Sequence, residues 1–247
     1  MGINGMKRIK NFEMANINFH TFISRQELAE ALAKKVAENL STAITQRGKA
    51  YIALSGGSTP QLFLEKLSET DINWEKVSAT LVDERFVSPN NPRSNQALIK
   101  ENLLKNKAHS LHFIPLYYPS ETIESAAQLA NEKLQSILID PFDVIVLGMG
   151  TDGHTASFFP GGDALTTALN INTVRSVIPM KAKTANEHRL TLSLSALYNA
   201  RFLILHIENI DKKLTLEKAL SGLDEMTMPI RAVLKHALSS IEVYWTS

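Results

Sequence analysis

The sequence predicts an α/β fold: a doubly wound, mainly parallel β-sheet with helices on both faces. Three observations predict it. Short apolar runs rich in valine and isoleucine recur along the 247 residues, segments with apolar residues at helical spacing separate them, and glycine-bearing loops follow several of the runs directly. Ligands of such folds bind beyond the carboxyl ends of the strands, so the loops that follow the runs are where chemistry is expected.

The first residues, Met1 to Met14, carry Lys7, Arg8 and Lys10 but no continuous apolar segment of the kind a secretory signal needs. Gly2, Asn4 and Gly5 favour no regular element, so residues 1–15 read as a disordered or cloning-derived tail and 16–247 as a single domain. After an apolar stretch from Ile17 to Phe22, Ser24 and Glu27 have the spacing of a capping box, in which each side chain satisfies a free N–H at a helix start. Leu28, Leu32, Val36, Leu40 and Ile44 then repeat at helical spacing up to Gly48, a fitting C-cap. Strands are predicted at 51–54, 79–82, 111–114, 144–147, 174–178 and 202–207, and helices at 60–67, 95–104, 121–138 and 212–220. No internal repeat or Pro/Gly/Ser-rich linker divides the chain.

Composition narrows the function classes. With 44% hydrophobic and 21% charged residues the chain is ordinary globular protein, and its 26 basic and 25 acidic residues leave a formal charge of +1. No net field then recruits nucleic acid or an anionic membrane, so neither is expected as a partner, and an anionic ligand must be held by local groups. No oligomeric partner is readable. The absence of cysteine excludes a disulfide framework, a thiolate nucleophile and thiolate zinc sites, and makes a cytoplasmic address the default expectation. No apolar run reaches transmembrane length.

Three loops carry the candidate chemistry. The first, Ser55-Gly56-Gly57-Ser58-Thr59-Pro60, stands between a strand and a helix, where glycines let backbone approach an anion, hydroxyls donate, and a helix start offers free N–H groups. The same pattern also suits a ligand-free turn. The second loop brings Asp83, Glu84 and Arg85 to the end of an apolar strand, followed by Arg93, Ser94 and Asn95. Arg85 can clamp a phosphate and Asp83 can accept from sugar hydroxyls, or the charges can form a salt-bridge cluster at the sheet rim; Arg93 reads as solvated surface.

The third loop runs from Leu147 through Gly148, Met149, Gly150, Thr151, Asp152, Gly153 and His154 to Pro160. Its glycines can hold His154 at the sheet's carboxyl edge, and histidine is the side chain whose ordinary pKa, about 6.5, lies near neutrality. A hydrogen-bonded loop histidine with no catalytic role is the alternative. Asp152 and His154 make only two of the three or four ligands of a zinc site, so no metal is expected. His206, on an apolar run, reads as a satisfied core residue, and no G-x-S-x-G elbow is present.

Taken together, Ser55 to Pro60, Asp83 to Val87, Ser94-Asn95 and Gly148 to Pro160, with Gly153-His154-Thr155-Ala156-Ser157-Phe158-Phe159-Pro160 as the most specific element, resemble the signature loops of the 6-phosphogluconolactonase family. The resemblance spans nearly the whole chain after the tail, in order and spacing, and includes Arg189-Leu190-Thr191 and Lys212 before Ala219-Leu220. It implies a Rossmann-like fold shared with the glucosamine-6-phosphate deaminases, hydrolysis of a sugar-phosphate lactone, and no cofactor. It also implies His154 as general base with Asp152 beside it, and Ser55, Gly56, Gly57, Ser58 and Thr59 in the phosphate site. Asp83, Asn95, Gly150 and Gly153 are implied as further site residues, and Arg85, Arg189 and Lys212 as cationic contacts. The glycine often found shortly before that lysine in the family is absent here, and Lys213 competes with Lys212 for its place. Two rival readings share the fold. One is a glucosamine-6-phosphate deaminase/isomerase, whose Asp-Gly-His loop typically continues into Ala-Phe-Asn-Glu, where here Ala156 leads to Ser157-Phe158-Phe159-Pro160; the other is a non-catalytic sugar-phosphate sensor.

Overall fold

In the computed structural model, which describes residues 15–247, strand β1 (Ile17–Phe22) leads into helix α1 (Arg25–Arg47). Ser24 caps that helix by accepting the Glu27 N–H at 3.1 Å, and Glu27 returns the contact to the N–H of Ile23, also at 3.1 Å. Leu28, Leu32, Val36 and Leu40 are buried, and Gly48, at φ 77°, closes the helix by donating to Ile44 O at 2.8 Å. There follow β2 (Ala50–Leu54), α2 (Gln61–Ser68), β3 (Val77–Leu81), β4 (Asp83–Arg85), α3 (Asn95–Asn102), β5 (His112–Phe113), α4 (Ile123–Leu138) and β6 (Val144–Leu147). The chain continues through α5 (Leu165–Ala168), β7 (Val177–Met180), β8 (Arg189–Leu192), α6 (Leu194–Leu197), β9 (Phe202–Glu208), α7 (Ile210–Leu220), α8 (Ile230–His236) and β10 (Ile241–Thr246). The expectation for the N-terminal tail falls outside the described residues except at Ala15, whose N–H donates to Leu234 O at 2.9 Å.

Seven strands form one sheet in the order β1-β10-β9-β6-β2-β3-β5, with every neighbouring pair parallel. All residues of β2 and β6 are buried. Because successive side chains on a strand point to opposite faces, the centre of the sheet is covered on both sides, which is why these strands read as unbroken apolar runs. Among the described residues no helix is long and apolar enough to cross a membrane.

The sequence expectation fails at one strand. Residues 174–178 are not a buried parallel strand: the strand is displaced to Val177–Met180, it is antiparallel, and Val174 is exposed. The polar pair Arg175 and Ser176 interrupts the apolar run, and the Asn131 side chain of α4 takes both backbone groups of Val177, its Oδ1 accepting the N–H at 2.7 Å and its Nδ2 donating to the carbonyl at 3.0 Å. This strand edges a second, three-stranded antiparallel sheet ordered β4-β8-β7, and its edge position lets Pro179 sit in it without costing a ladder bond. Asp83, Glu84 and Arg85 are thus not the frayed end of β3 but a strand of their own, with Asp83 opposite Thr191 and Arg85 opposite Arg189.

Candidate active site

The loops after β2, β6 and β9 and the small second sheet enclose a cavity of about 350 Å³ at the carboxyl ends of the parallel strands. On one side lies the loop from Ser55 to Pro60. Ser55 extends the ladder of β2 by donating to Val146 O at 3.0 Å, and Gly57 turns the chain at φ 92°, a conformation that glycine adopts without strain. Pro60 precedes α2 and offers no side-chain cap, so free N–H groups of its first turn stay available to a ligand. Gly56 is pressed against Asn95: a Cβ there would collide with the Asn95 amide, which itself donates to Asp83 O at 2.9 Å.

The His154 loop is a tight turn closed by Gly150 N–H donating to His154 O at 2.8 Å and Gly153 N–H donating to Gly150 O at 3.0 Å. Gly153 takes φ 79° and packs on Met228, while its carbonyl accepts the Ile230 N–H at 2.8 Å, so the start of α8 supports the turn from behind. Ala156 sits at φ 48°, a left-handed conformation that costs a residue with a Cβ about 1–2 kcal/mol. Asp152 Oδ1 lies 2.6 Å from His154 Nδ1 and also accepts the His154 backbone N–H at 3.1 Å. Burial pushes the Asp152 carboxyl upward, but the hydrogen bond and charge of His154 outweigh it and hold the pKa at about 2. An ionised carboxylate on Nδ1 favours the tautomer with its hydrogen there, leaving Nε2 as the nitrogen for a reacting proton.

The Phe159 ring lies 4.6 Å from the His154 ring, and the Arg189 guanidinium stands over that same phenyl ring at 5.5 Å. Arg189 is buried, 3.8 Å from Asp83 and 3.9 Å from Glu187; burial lowers its pKa below the usual arginine value while Asp83 opposes the shift. Asp83 is also buried and accepts from Ser157 Oγ at 2.6 Å, which ties the second loop to the His154 loop. Glu84 is fully buried and accepts from the N–H groups of Arg85, Asn95 and Gln96 at 2.7, 2.8 and 2.7 Å and from Ser94 Oγ at 3.1 Å. Burial raises its pKa against those N–H groups, which favour its charge. Arg85 lines the cavity with Nη1 donating to Arg93 O, and Arg93, expected as plain solvated surface, is paired with Glu187.

Lys212 and Lys213 part company. Lys212 lines the cavity and donates to Met149 O at 2.6 Å, with burial lowering its pKa and the Asp152 charge opposing, whereas Lys213 stands 4.6 Å over the Trp245 ring. Asn209, three residues before Lys212, adopts φ 66°, and its side chain caps α7 by accepting the Lys212 N–H at 3.4 Å.

Of the residues singled out in the sequence, Ser55, Gly56, Gly57, Ser58, Thr59, Asp83, Arg85, Asn95, Gly150, His154, Arg189 and Lys212 line this one cavity. Asp152 and Gly153 do not; they hold His154 from outside it. Sequence reasoning missed Thr184, Ile207 and Glu208 in the lining and the tie from Ser157 to Asp83. His206, expected as a satisfied core residue, is buried but has no hydrogen-bond partner on either ring nitrogen, and it too lines the cavity. The alternation of His206 and Glu208 at a strand's carboxyl end was a legible signal; Thr184, in a polar loop, gave none.

A family model described as glucosamine-6-phosphate isomerases/6-phosphogluconolactonase matches residues 23–245. A protein called 6-phosphogluconolactonase from Rhizobium meliloti (strain 1021) is 52% identical over 92% of this chain and 98% of its own length. The crystal structure of a 6-phosphogluconolactonase from Shewanella baltica OS155 superposes with a TM-score of 0.91 at 38% identity, covering 95% of this chain and all of that one. A monomeric glucosamine-6-phosphate deaminase, at 16% identity and a TM-score of 0.74, shares the fold.

Proposed function

This chain belongs to the glucosamine-6-phosphate isomerase/6-phosphogluconolactonase family, and from that premise we propose that it hydrolyses 6-phospho-D-glucono-1,5-lactone to 6-phosphogluconate, in the cytoplasm, as a step of the oxidative pentose phosphate pathway. The 52% identity to the Rhizobium protein supports this member of the family over the deaminase. The single observation that carries the chemistry is His154, bound to Asp152 through Nδ1 while its ring lines a cavity that also holds a glycine/serine loop and three cationic side chains.

In the proposed reaction the Ser55 to Thr59 loop, with Arg85, Arg189 and Lys212, holds the phosphate and orients the ring, which removes much of the entropic cost of bringing the carbonyl to the base. His154 Nε2 takes a proton from water as the water oxygen bonds to the lactone carbonyl carbon. The tetrahedral intermediate then breaks its bond to the ring oxygen, and the imidazolium returns the proton to that oxygen as it leaves. Asp152 keeps the ring in the needed tautomer and stabilises the imidazolium by its charge. Neither step calls for a metal or an organic cofactor.

A coupled assay tests the reading. Lactone is generated in situ from glucose 6-phosphate, its hydrolysis is followed against the spontaneous rate, and ammonia release from glucosamine 6-phosphate is measured in parallel. Accelerated lactone opening without ammonia release is expected. Ammonia release without acceleration, or binding of 6-phosphogluconate without turnover, overturns it.

A further inference from the structure

Phe159 has no part in the scheme above, yet it touches two of the side chains that the scheme uses. Its ring centroid lies 4.6 Å from that of His154, with the two planes inclined by 40°, and 5.5 Å from the guanidinium carbon of Arg189. The residue is buried and lines the cavity. Both distances fall within the ~6 Å over which the negative face of a phenyl ring attracts a cation, and burial strengthens that attraction because little water competes for the charge.

The chain takes a strained route to place this ring. Thr155 Oγ1 donates to Gly148 O at 2.7 Å, which fastens the turn to the end of β6, and Ala156 then stands in the left-handed region at φ 48°. The next residues fold straight back: the Phe158 N–H donates to Thr155 O at 3.0 Å and the Phe159 N–H to Ser157 O at 3.1 Å, while Phe159 O accepts the Gly162 N–H at 2.9 Å. Strain of this kind persists where the surrounding structure fixes it, and it gathers at sites that need a side chain aimed in one direction. Here the side chain so aimed is Phe159, laid against the His154 ring.

A general base is uncharged until it takes its proton. As Nε2 receives the proton from water, the imidazole becomes a cation, and a phenyl ring attracts that cation more strongly than it attracts the neutral ring. The contact therefore tightens on the way to the transition state, which is the condition for an interaction to speed a step rather than only to tighten binding. Asp152 meets the same charge at Nδ1. Arg189, charged throughout, is drawn to the phenyl ring before and after the transfer alike, so its contact fixes the ring in place without favouring either state. We propose that Phe159 is a positioning residue of the hydrolysis, whose phenyl ring steadies the His154 imidazole and stabilises the positive charge it gains with the proton. The proposal rests on reading His154 as the base of a lactone hydrolysis.

Phenylalanines bearing a rising number of ring fluorines, put in place of Phe159 in the full chain, keep the shape of the ring while draining negative charge from its face. With lactone generated in situ, kcat is expected to fall step by step along the series, about threefold to thirtyfold for the pentafluoro ring, the range of one cation–π contact. KM should move less than kcat, because the charges of Asp83 and Glu187 also hold Arg189. Phe159→Leu, which keeps apolar bulk but has no ring face, should lose at least as much kcat as the pentafluoro chain. A residue that only fills space would leave kcat level across the fluorinated series, and that result in folded protein overturns the proposal, as does a Leu variant with wild-type kcat. Should the pentafluoro chain fail to fold, the monofluoro and difluoro chains still decide by the presence or absence of the stepwise fall. A wild type that opens no lactone overturns the functional reading and this proposal with it, whereas fluorinated chains that match an active wild type overturn the proposal alone.

Discussion

One carboxylate oxygen of Asp152 holds His154 twice, at ring Nδ1 (2.6 Å) and at the backbone N–H (3.1 Å). Orientation of the imidazole and shape of the loop that carries it thus share one support. Asp152→Asn keeps the size but removes the charge that fixes the tautomer, and kcat for lactone hydrolysis is expected to fall about 100-fold or more, with KM nearly unchanged. Steady-state kinetics with lactone generated in situ check this.

The same pair sets a pH dependence. The Asp152 pKa is depressed from 3.8 to about 2 in the folded protein, so its contribution to stability is complete above the unfolded value and is lost as pH falls through the folded one. The urea midpoint of the wild type should exceed that of Asp152→Asn near pH 6, and the gap should shrink as the pH is lowered from about 4 towards 2. With 41% of its side chain exposed, solvent screening keeps the gap small. Asp152 stays ionised across the neutral range, so the acid limb of the rate profile should not move with this group.

Gly150 is the residue on which the base rests. A Cβ at that position would overlap the His154 ring and crowd Asp152 Oδ1. Gly150→Ala should therefore leave the fold and Tm close to wild type while lowering kcat on the order of 100-fold, the usual consequence of moving a reacting group by about 1 Å. Circular dichroism and turnover on one preparation separate the two effects.

Glu84 works at a distance. Its Oε1 accepts the N–H groups of Arg85 in β4 and of Asn95, and its Oε2 accepts from Ser94 Oγ and the Gln96 N–H, three of these four donors standing at the start of α3, so Glu84→Gln turns an amide NH2 towards groups that themselves donate. A loss of about 1–3 kcal/mol in unfolding free energy is expected, with a raised KM, because Asn95 is the first residue of α3 and packs on Gly56. Denaturant titration and KM together check it; a change in kcat alone would contradict the assignment.

Much of this was legible in the sequence, and the exceptions share a physical cause. β2, β6 and β9 are central strands whose burial on both faces writes itself as apolar runs, and Ser24 and Gly48 mark α1 through caps that act locally. The three loops could be read because glycine, hydroxyl and charge are needed there whatever the rest of the chain does. The small sheet could not be read: Asp83–Arg85 and Arg189–Leu192 are strands only because they pair with each other across a long separation in sequence, and charged residues occupy their ends. Likewise Asn209 takes a positive φ that no pattern announces, and Ser157 reaches Asp83 only once two loops have met.

His154 itself gives the most direct test. Turnover of His154→Ala and its affinity for 6-phosphogluconate should be measured on the same preparation. The account predicts kcat lowered about 100-fold to 10,000-fold, the range for loss of a general base, with the product bound nearly as tightly as by the wild type. Turnover retained within a few-fold of wild type would contradict it.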